Sequence, residues 1–220
     1  TGEVFASVTF KTLGIGESAA EQELADLVAL PDPVVATYAK DDGVHVRVTA
    51  RAADAISAEA ARDAAATEVR RRLGRYIYAT DDATLAGAIA GRLRATGRRL
   101  AIVESGSGAR LTGIITGDPD ASTVLDQAIA HVPGEGIGST WTAASMASQV
   151  AGGPDLVVIA LTVAAEPDGP GIFTASAMLA VRGPVQADEE MTLRASYPEV
   201  QRRAALAAAD LLRRTLASPG

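Results

Sequence analysis

The sequence predicts a small α+β unit, in the order β-α-β-β-α, followed by an α/β/α three-layer unit on a mixed sheet. Three observations predict this. Strand-like alternation and helix-like spacing trade places within the first 73 residues. From Leu85 onward, helical spacing alternates with short continuous apolar runs, as expected for helices packed on a buried sheet. Two strand-like runs, 172–181 and 191–195, then follow one another without a helix between them. The boundary is placed at 78/79, which gives units 1–78 and 79–220.

The elements follow in order. Val4, Phe5, Val8 and Phe10 mark a strand over 4–11, broken by Gly14 and Gly16. Ser18 and Glu21 have the spacing of a capping box, in which each side chain satisfies a free N–H at a helix start. Leu24, Leu27 and Val28 supply that helix's apolar face, and Pro31 ends it. Residues 33–39 are a β-rich run, and Asp41-Asp42-Gly43 is a hairpin turn. Val44, Val46 and Val48 then alternate with His45, Arg47 and Thr49, a half-buried strand whose polar face holds His45 as a surface histidine. Residues 57–73 form a helix with Glu59 near its start, Arg70–Arg72 at its end and Gly74 beyond, an order that suits the helix dipole.

In the second unit, 79–81 reads as a linker. Leu85, Ile89 and Leu93 at spacing four mark a helix that Gly97 closes. Residues 99–104 are a buried strand, 109–115 a helical turn or two, and 117–120 a turn. The run 124–132 is apolar and fits a strand or a helix equally. Residues 133–138 are a loop, and Ser139 is placed to cap a helix running to about Val150. Residues 156–161 are a continuous apolar run, a buried strand, and 167–171 a loop. Pro198 opens the last helix at a position that tolerates proline. Val200, Ala204, Ala207 and Leu211 line its apolar side.

Composition bounds the function. The chain has 220 residues, 48% hydrophobic and 21% charged, enough to bury a core. No apolar run approaches the ~18 residues of a membrane span, and no basic-then-apolar leader is present. Thr1 in place of Met reads as a fragment of a longer protein. The absence of cysteine removes disulfides and thiolate sites and fits a cytoplasmic origin. With two histidines besides, neither a metal site nor a cofactor is expected. A net charge of −7 speaks against nucleic-acid binding. The chemistry gathers at 100–109, where a buried strand ends in Glu104-Ser105 and a Gly106-Ser107-Gly108 turn. A hydroxyl there, at the end of a strand and beside flexible glycines, is where α/β proteins place a nucleophile or an anion cradle.

Several blocks resemble the competence/damage-inducible CinA family in order and spacing. They are Thr12-Leu13-Gly14-Ile15-Gly16-Glu17-Ser18, Ala39-Lys40, Val44 to Ala50, Glu104-Ser105, Arg202-Arg203-Ala204-Ala205 and Leu211-Leu212-Arg213-Arg214. The resemblance covers nearly the whole chain and corresponds to the family's middle and C-terminal domains. The family's N-terminal domain, similar to molybdopterin-binding proteins and linked to ADP-ribose pyrophosphatase activity, has no counterpart here. The C-terminal resemblance implies nicotinamide mononucleotide deamidation, with Ser105 at the family's nucleophile and Glu104, Gly106, Ser107, Gly108 and Thr162 as substrate-binding positions. It also implies a small nucleotide ligand and a homodimer; charge and the lack of an apolar span speak against a nucleic-acid or membrane partner.

The match departs from the family at the chemistry. The family's Glu-Ser-Cys-Thr-Gly-Gly is here Glu104 to Ala109. Its Tyr-Ser-Asn-Glu-Ala-Lys block, whose lysine is expected to activate the serine, is replaced by residues 128–133. Its Thr-Gly-Ile-Ala-Gly-Pro loop has become Thr162-Val163-Ala164-Ala165-Glu166-Pro167. The two lysines, Lys11 and Lys40, both lie in the first unit. A serine hydroxyl is a poor nucleophile without a base in reach, and His131 and Glu104 are the candidate substitutes. Three readings stay open: a deamidase-like domain that has lost its activity, an active amidohydrolase rearranged on Ser105 and His131, and a non-catalytic nucleotide-binding regulatory module.

Overall fold

Residues 2–131 and 142–217 are described by a computed structural model. They form two units that divide between Thr84 and Leu85. The first is built from β1 (Val4–Thr12), α1 (Glu17–Glu23), α2 (Ala25–Val28), β2 (Val34–Lys40), β3 (Gly43–Ala52), α3 (Ala55–Leu73) and β4 (Ile77–Thr80). Its antiparallel sheet has the order β2-β3-β1-β4. Alternation on β3 sends Val44, Val46 and Val48 inward against Leu24, Leu27, Ala66, Val69 and Leu73 of the helices.

Four details differ from the sequence expectation. The segment read as a linker is β4, which pairs Phe10 with Thr80 and Lys11 with Ala79; four residues are too few for a period to show. The capping box does not form, because Gly16 is the N-cap of α1. The acids are spent across the chain instead: Glu21 accepts from the Thr37 hydroxyl at 2.9 Å and Glu17 from the Ala39 N–H at 3.1 Å. The helix expected there turns at Leu24, which is fully buried. Helix α3 starts two residues before Ser57, because Asp54 accepts from both the Ser57 N–H (2.9 Å) and its hydroxyl (2.7 Å).

His45 lies on the outer side of β3 but is only 16% exposed. Its Nε2 sits 2.8 Å from Asp42 Oδ1, and the Tyr78 hydroxyl donates to Asp42 Oδ2 at 2.8 Å. Burial opposes ionisation of Asp42, yet the Tyr78 hydrogen bond and the His45 charge hold its pKa below the ordinary 3.8. A depressed carboxylate pKa contributes stability above the unfolded value, and that contribution is lost as pH falls through the folded value. Acid unfolding of the first unit should therefore be less steep below pH 3.8 in Asp42→Asn than in the parent, with lower stability at neutral pH, read by circular dichroism.

The second unit comprises α4 (Leu85–Ala95), β5 (Arg99–Ser105), α5 (Arg110–Thr116), α6 (Pro119–Ser122), β6 (Leu125–His131), α7 (Ala143–Ser148), β7 (Leu156–Pro167), β8 (Phe173–Arg182), β9 (Ala187–Ala195) and α8 (Tyr197–Thr215). Its mixed sheet has the order β6-β5-β7-β8-β9, with β5 parallel to β6 and β7 and the remaining pairs antiparallel. Helix α7 covers one face through Ala143, Met146 and Ala147 against Ala101, Val103, Val158 and Ala160. Helices α4, α5 and α8 are on the other side of the sheet, so the unit has three layers. The ambiguous run from Val124 is a strand, since its pairing with β5 supplies the backbone partners. Asp118 caps α6 where a turn was expected, and Thr142 caps α7. The expected loop at 133–138 and the Ser139 cap lie outside the described residues.

Candidate functional site

The site grows from the C-terminal ends of three adjacent strands. Ser105, the last residue of β5, is in register with His131 at the end of β6 and with Thr162 on β7. In-register residues of paired strands project to the same side of the sheet. Since Ala101 and Val103 of β5 pack against α7, alternation sends Ser105 to the α7 side and Glu104 to the opposite side. Three residues singled out from distant parts of the sequence thus become neighbours at a point where the strand order reverses. Such a switch point is where open α/β sheets bind ligands. Ser105 is 9% exposed, and its hydroxyl has no hydrogen-bond partner among the described residues.

Glu104 is 1% exposed, and its carboxylate is consumed by the protein. One oxygen accepts from the Ser107 hydroxyl at 2.5 Å and the Leu111 N–H at 3.1 Å. The other accepts from the Thr112 N–H at 2.9 Å and the Thr112 hydroxyl at 2.5 Å. These donors include the first-turn N–H groups of α5, whose own N-cap, Ala109, has no side-chain oxygen to offer. Four acceptor positions exhaust what a carboxylate has. Glu104 and the fully buried Ser107 are therefore a strut between β5 and α5. Neither offers a free polar group to a ligand.

The intervening turn is tight. Gly106 has φ +74°, and a Cβ there would lie 2.1 Å from the Val163 carbonyl oxygen of β7. Its own carbonyl accepts from Gln201 Nε2 at 3.1 Å and the Tyr197 hydroxyl at 3.3 Å, both on α8. Gly108 is also left-handed, with Gln201 closing over it. Ala109 adopts φ +58°, a conformation that costs a Cβ-bearing residue about 1–2 kcal/mol. A cavity of about 230 Å³ opens beside this turn, bounded by residues 106–109, Ala130, His131, Glu104, Tyr197 and Gln201. Ser105 and Thr162 do not line it.

The structure therefore sorts the sequence candidates into two groups. Ser105, His131 and Thr162 share the α7 side, while Glu104, Gly106, Ser107 and Gly108 build the turn and the cavity wall; His131 borders the cavity as well. Sequence reasoning missed Tyr197 and Gln201. Their spacing of four at the start of the last helix was the available signal, but nothing local says that they reach a turn 91 and 95 residues away. Among the described residues, no three His, Asp or Glu side chains gather as metal ligands, and no helix is long and apolar enough to cross a membrane.

Comparison with known proteins gives these residues relatives. Residues 7–79 match the model described as the damage-inducible protein CinA KH domain. A CinA-like protein of Thermomicrobium roseum is 40% identical over 215 residues, covering 94% of this chain and 52% of that one. A CinA-like protein of Desulfovibrio desulfuricans is 42% identical over 124 residues, which is 56% of this chain and 29% of that one. The chain spans about half the length of the Thermomicrobium relative. Among solved structures, a competence-damaged protein (CinA) superfamily protein from Klebsiella pneumoniae matches with TM-score 0.49 and 22% identity, over 60% of this chain and 96% of that one. The first unit matches the CinA KH domain, and the chain is similar along nearly its whole length to a CinA-like protein at 40% identity.

Proposed function

We propose that the second unit is a nicotinamide-nucleotide amidase-type domain that no longer hydrolyses the amide and keeps a site for a small nucleotide ligand. One observation carries this reading: the Ser105 hydroxyl has neither Glu104 nor a lysine of its own unit to activate it. Glu104, its neighbour in sequence, points to the other side of the sheet with its carboxylate fully engaged. The unit contains no lysine: Lys11 and Lys40 are both in the first unit, where Lys11 Nζ donates to the Ala83 carbonyl at 3.0 Å. Loss of a positioned general base costs about 10²–10⁴ in rate. The registered turn and the cavity beside it support retention of a ligand site.

The register of Ser105 with His131 favours one second reading, an amidohydrolase that uses His131 as base. Incubation with nicotinamide mononucleotide separates the two. The proposal expects no ammonia above the buffer control and a rise in melting temperature with ligand, as binding to the native state requires. Ammonia release that vanishes in both Ser105→Ala and His131→Ala would overturn it in favour of the second.

A further inference from the structure

Among the described residues, the second unit commits nearly all of its cations. Most of its arginines sit in ion pairs, and Arg92 and Arg94 donate to backbone carbonyls instead. Two guanidinium groups are left over. Arg98 is exposed just before β5, at the end of that strand away from Ser105. Arg110 is exposed at the first position of α5, directly after the Gly106–Ala109 turn. Its side chain makes one long hydrogen bond among the described residues, from Nε to Gln201 Oε1 at 3.5 Å. Both terminal nitrogens are without a partner there. Helix stability does not explain an arginine at this place, because the peptide dipoles at a helix start disfavour a cation. Glu104 has no need of it either, since four donors already fill that carboxylate.

Gln201 ties this arginine to the cavity. Its Nε2 donates to the Gly106 carbonyl at 3.1 Å, which fixes the amide and turns Oε1 toward Arg110. Gln201 and Ala109 both border the cavity of about 230 Å³, so the guanidinium stands at its rim. None of the lining residues is Lys or Arg. The volume falls below the roughly 300–1,000 Å³ of sites that enclose a drug-sized ligand. The space suits a single flat ring, whereas a phosphate dianion finds no cation inside. We infer that Arg110 is a specificity-determining residue of this site. It holds the phosphate of a nucleotide at the rim while the ring enters the cavity, and so selects nucleotide over nucleoside. The inference rests on the reading of the second unit as a retained nucleotide site. A planar guanidinium with two free nitrogens meets two phosphate oxygens at once. Gln201 is a positioning residue that keeps the guanidinium at the cavity edge.

The test is isothermal titration calorimetry of the whole chain at about 50 mM salt, where an exposed charge pair is only partly screened. Nicotinamide mononucleotide, nicotinamide riboside and inorganic phosphate are the probes. The parent should bind the nucleotide about tenfold more tightly than the riboside, the effect of one charge-assisted contact. Inorganic phosphate, which lacks the ring, should bind more weakly than the nucleotide. Arg110→Gln should lower the nucleotide to the affinity of the riboside and leave the riboside unchanged. Arg110→Lys should keep part of the preference, because an ammonium is a point charge without the fork. Arg98→Gln should alter neither affinity. Unchanged melting temperatures without ligand report that the variants remain folded. Equal affinity of the parent for nucleotide and riboside, a preference that survives Arg110→Gln or is lost in Arg98→Gln, or phosphate alone binding as tightly as the nucleotide would each overturn the role of Arg110. Binding of neither nucleotide nor riboside would instead defeat the reading of a retained site, and the inference with it.

Discussion

Glu104→Ala should destabilise the second unit by about 3–5 kcal/mol, the range for removing a buried charged partner from a satisfied cluster. The substitution strands four donors at once: the Ser107 hydroxyl, the Leu111 and Thr112 N–H groups and the Thr112 hydroxyl. Ser107 and Leu111 are fully buried and water does not reach them, so each keeps a desolvation penalty of about 1–3 kcal/mol. Half-buried Thr112 recovers part of its loss from solvent. Thr112→Val removes a single hydroxyl and should cost only about 1 kcal/mol. Urea unfolding of the three proteins decides the matter. A Glu104→Ala loss no larger than that of Thr112→Val would mean that the carboxylate is not the strut described above.

The second large effect is expected at Gly106. Gly106→Ala sets a Cβ 2.1 Å from the Val163 carbonyl oxygen, a backbone atom that moves only if β7 moves, and does so at φ +74°. A loss of more than about 3 kcal/mol follows from strain and overpacking together. Gly108→Ala is the internal comparison. It has nearly the same φ, +67°, but its Cβ would meet the flexible end of Gln201 at 3.0 Å. That change should cost only the left-handed penalty of about 1–2 kcal/mol. Equal melting-temperature shifts in the two variants would contradict the close approach to β7. The contrast also bears on function, because Gly106 is the point where the turn after Ser105 is clamped between β7 and α8.

Legibility in the sequence varied by element. The hairpin at Asp41-Asp42-Gly43, the alternating valines of β3 and the spacing of Leu85, Ile89 and Leu93 report local physics, and their elements form where they were read. At Ser18 and Glu21 local spacing is overridden by longer-range partners. Their spacing suits a capping box, but two carboxylates on α1 found better partners on β2, sixteen and twenty-two residues away. β4 was invisible because a four-residue strand has no period and exists through its pairing with β1. The candidate site was legible as residue types and not as an arrangement. Ser105, His131 and Thr162 were each singled out; their adjacency is a property of strand register.

The sequence by itself determined the fold class of both units, their longer strands and helices, and the position of the Glu104-Ser105-Gly106 turn at the end of a buried strand. These depend on periodicities of 2 and 3.6 and on turn residues, which act over a few positions. Only the tertiary structure decided that Glu104 and Ser105 serve opposite sides of the sheet, one as a strut for α5 and the other beside His131 and Thr162. Alternation requires that neighbours diverge, but which side holds α5 and which holds α7 is set by long-range strand order. The same holds for the clamp of Tyr197 and Gln201 on Gly106: it spans more than ninety residues and leaves no local trace.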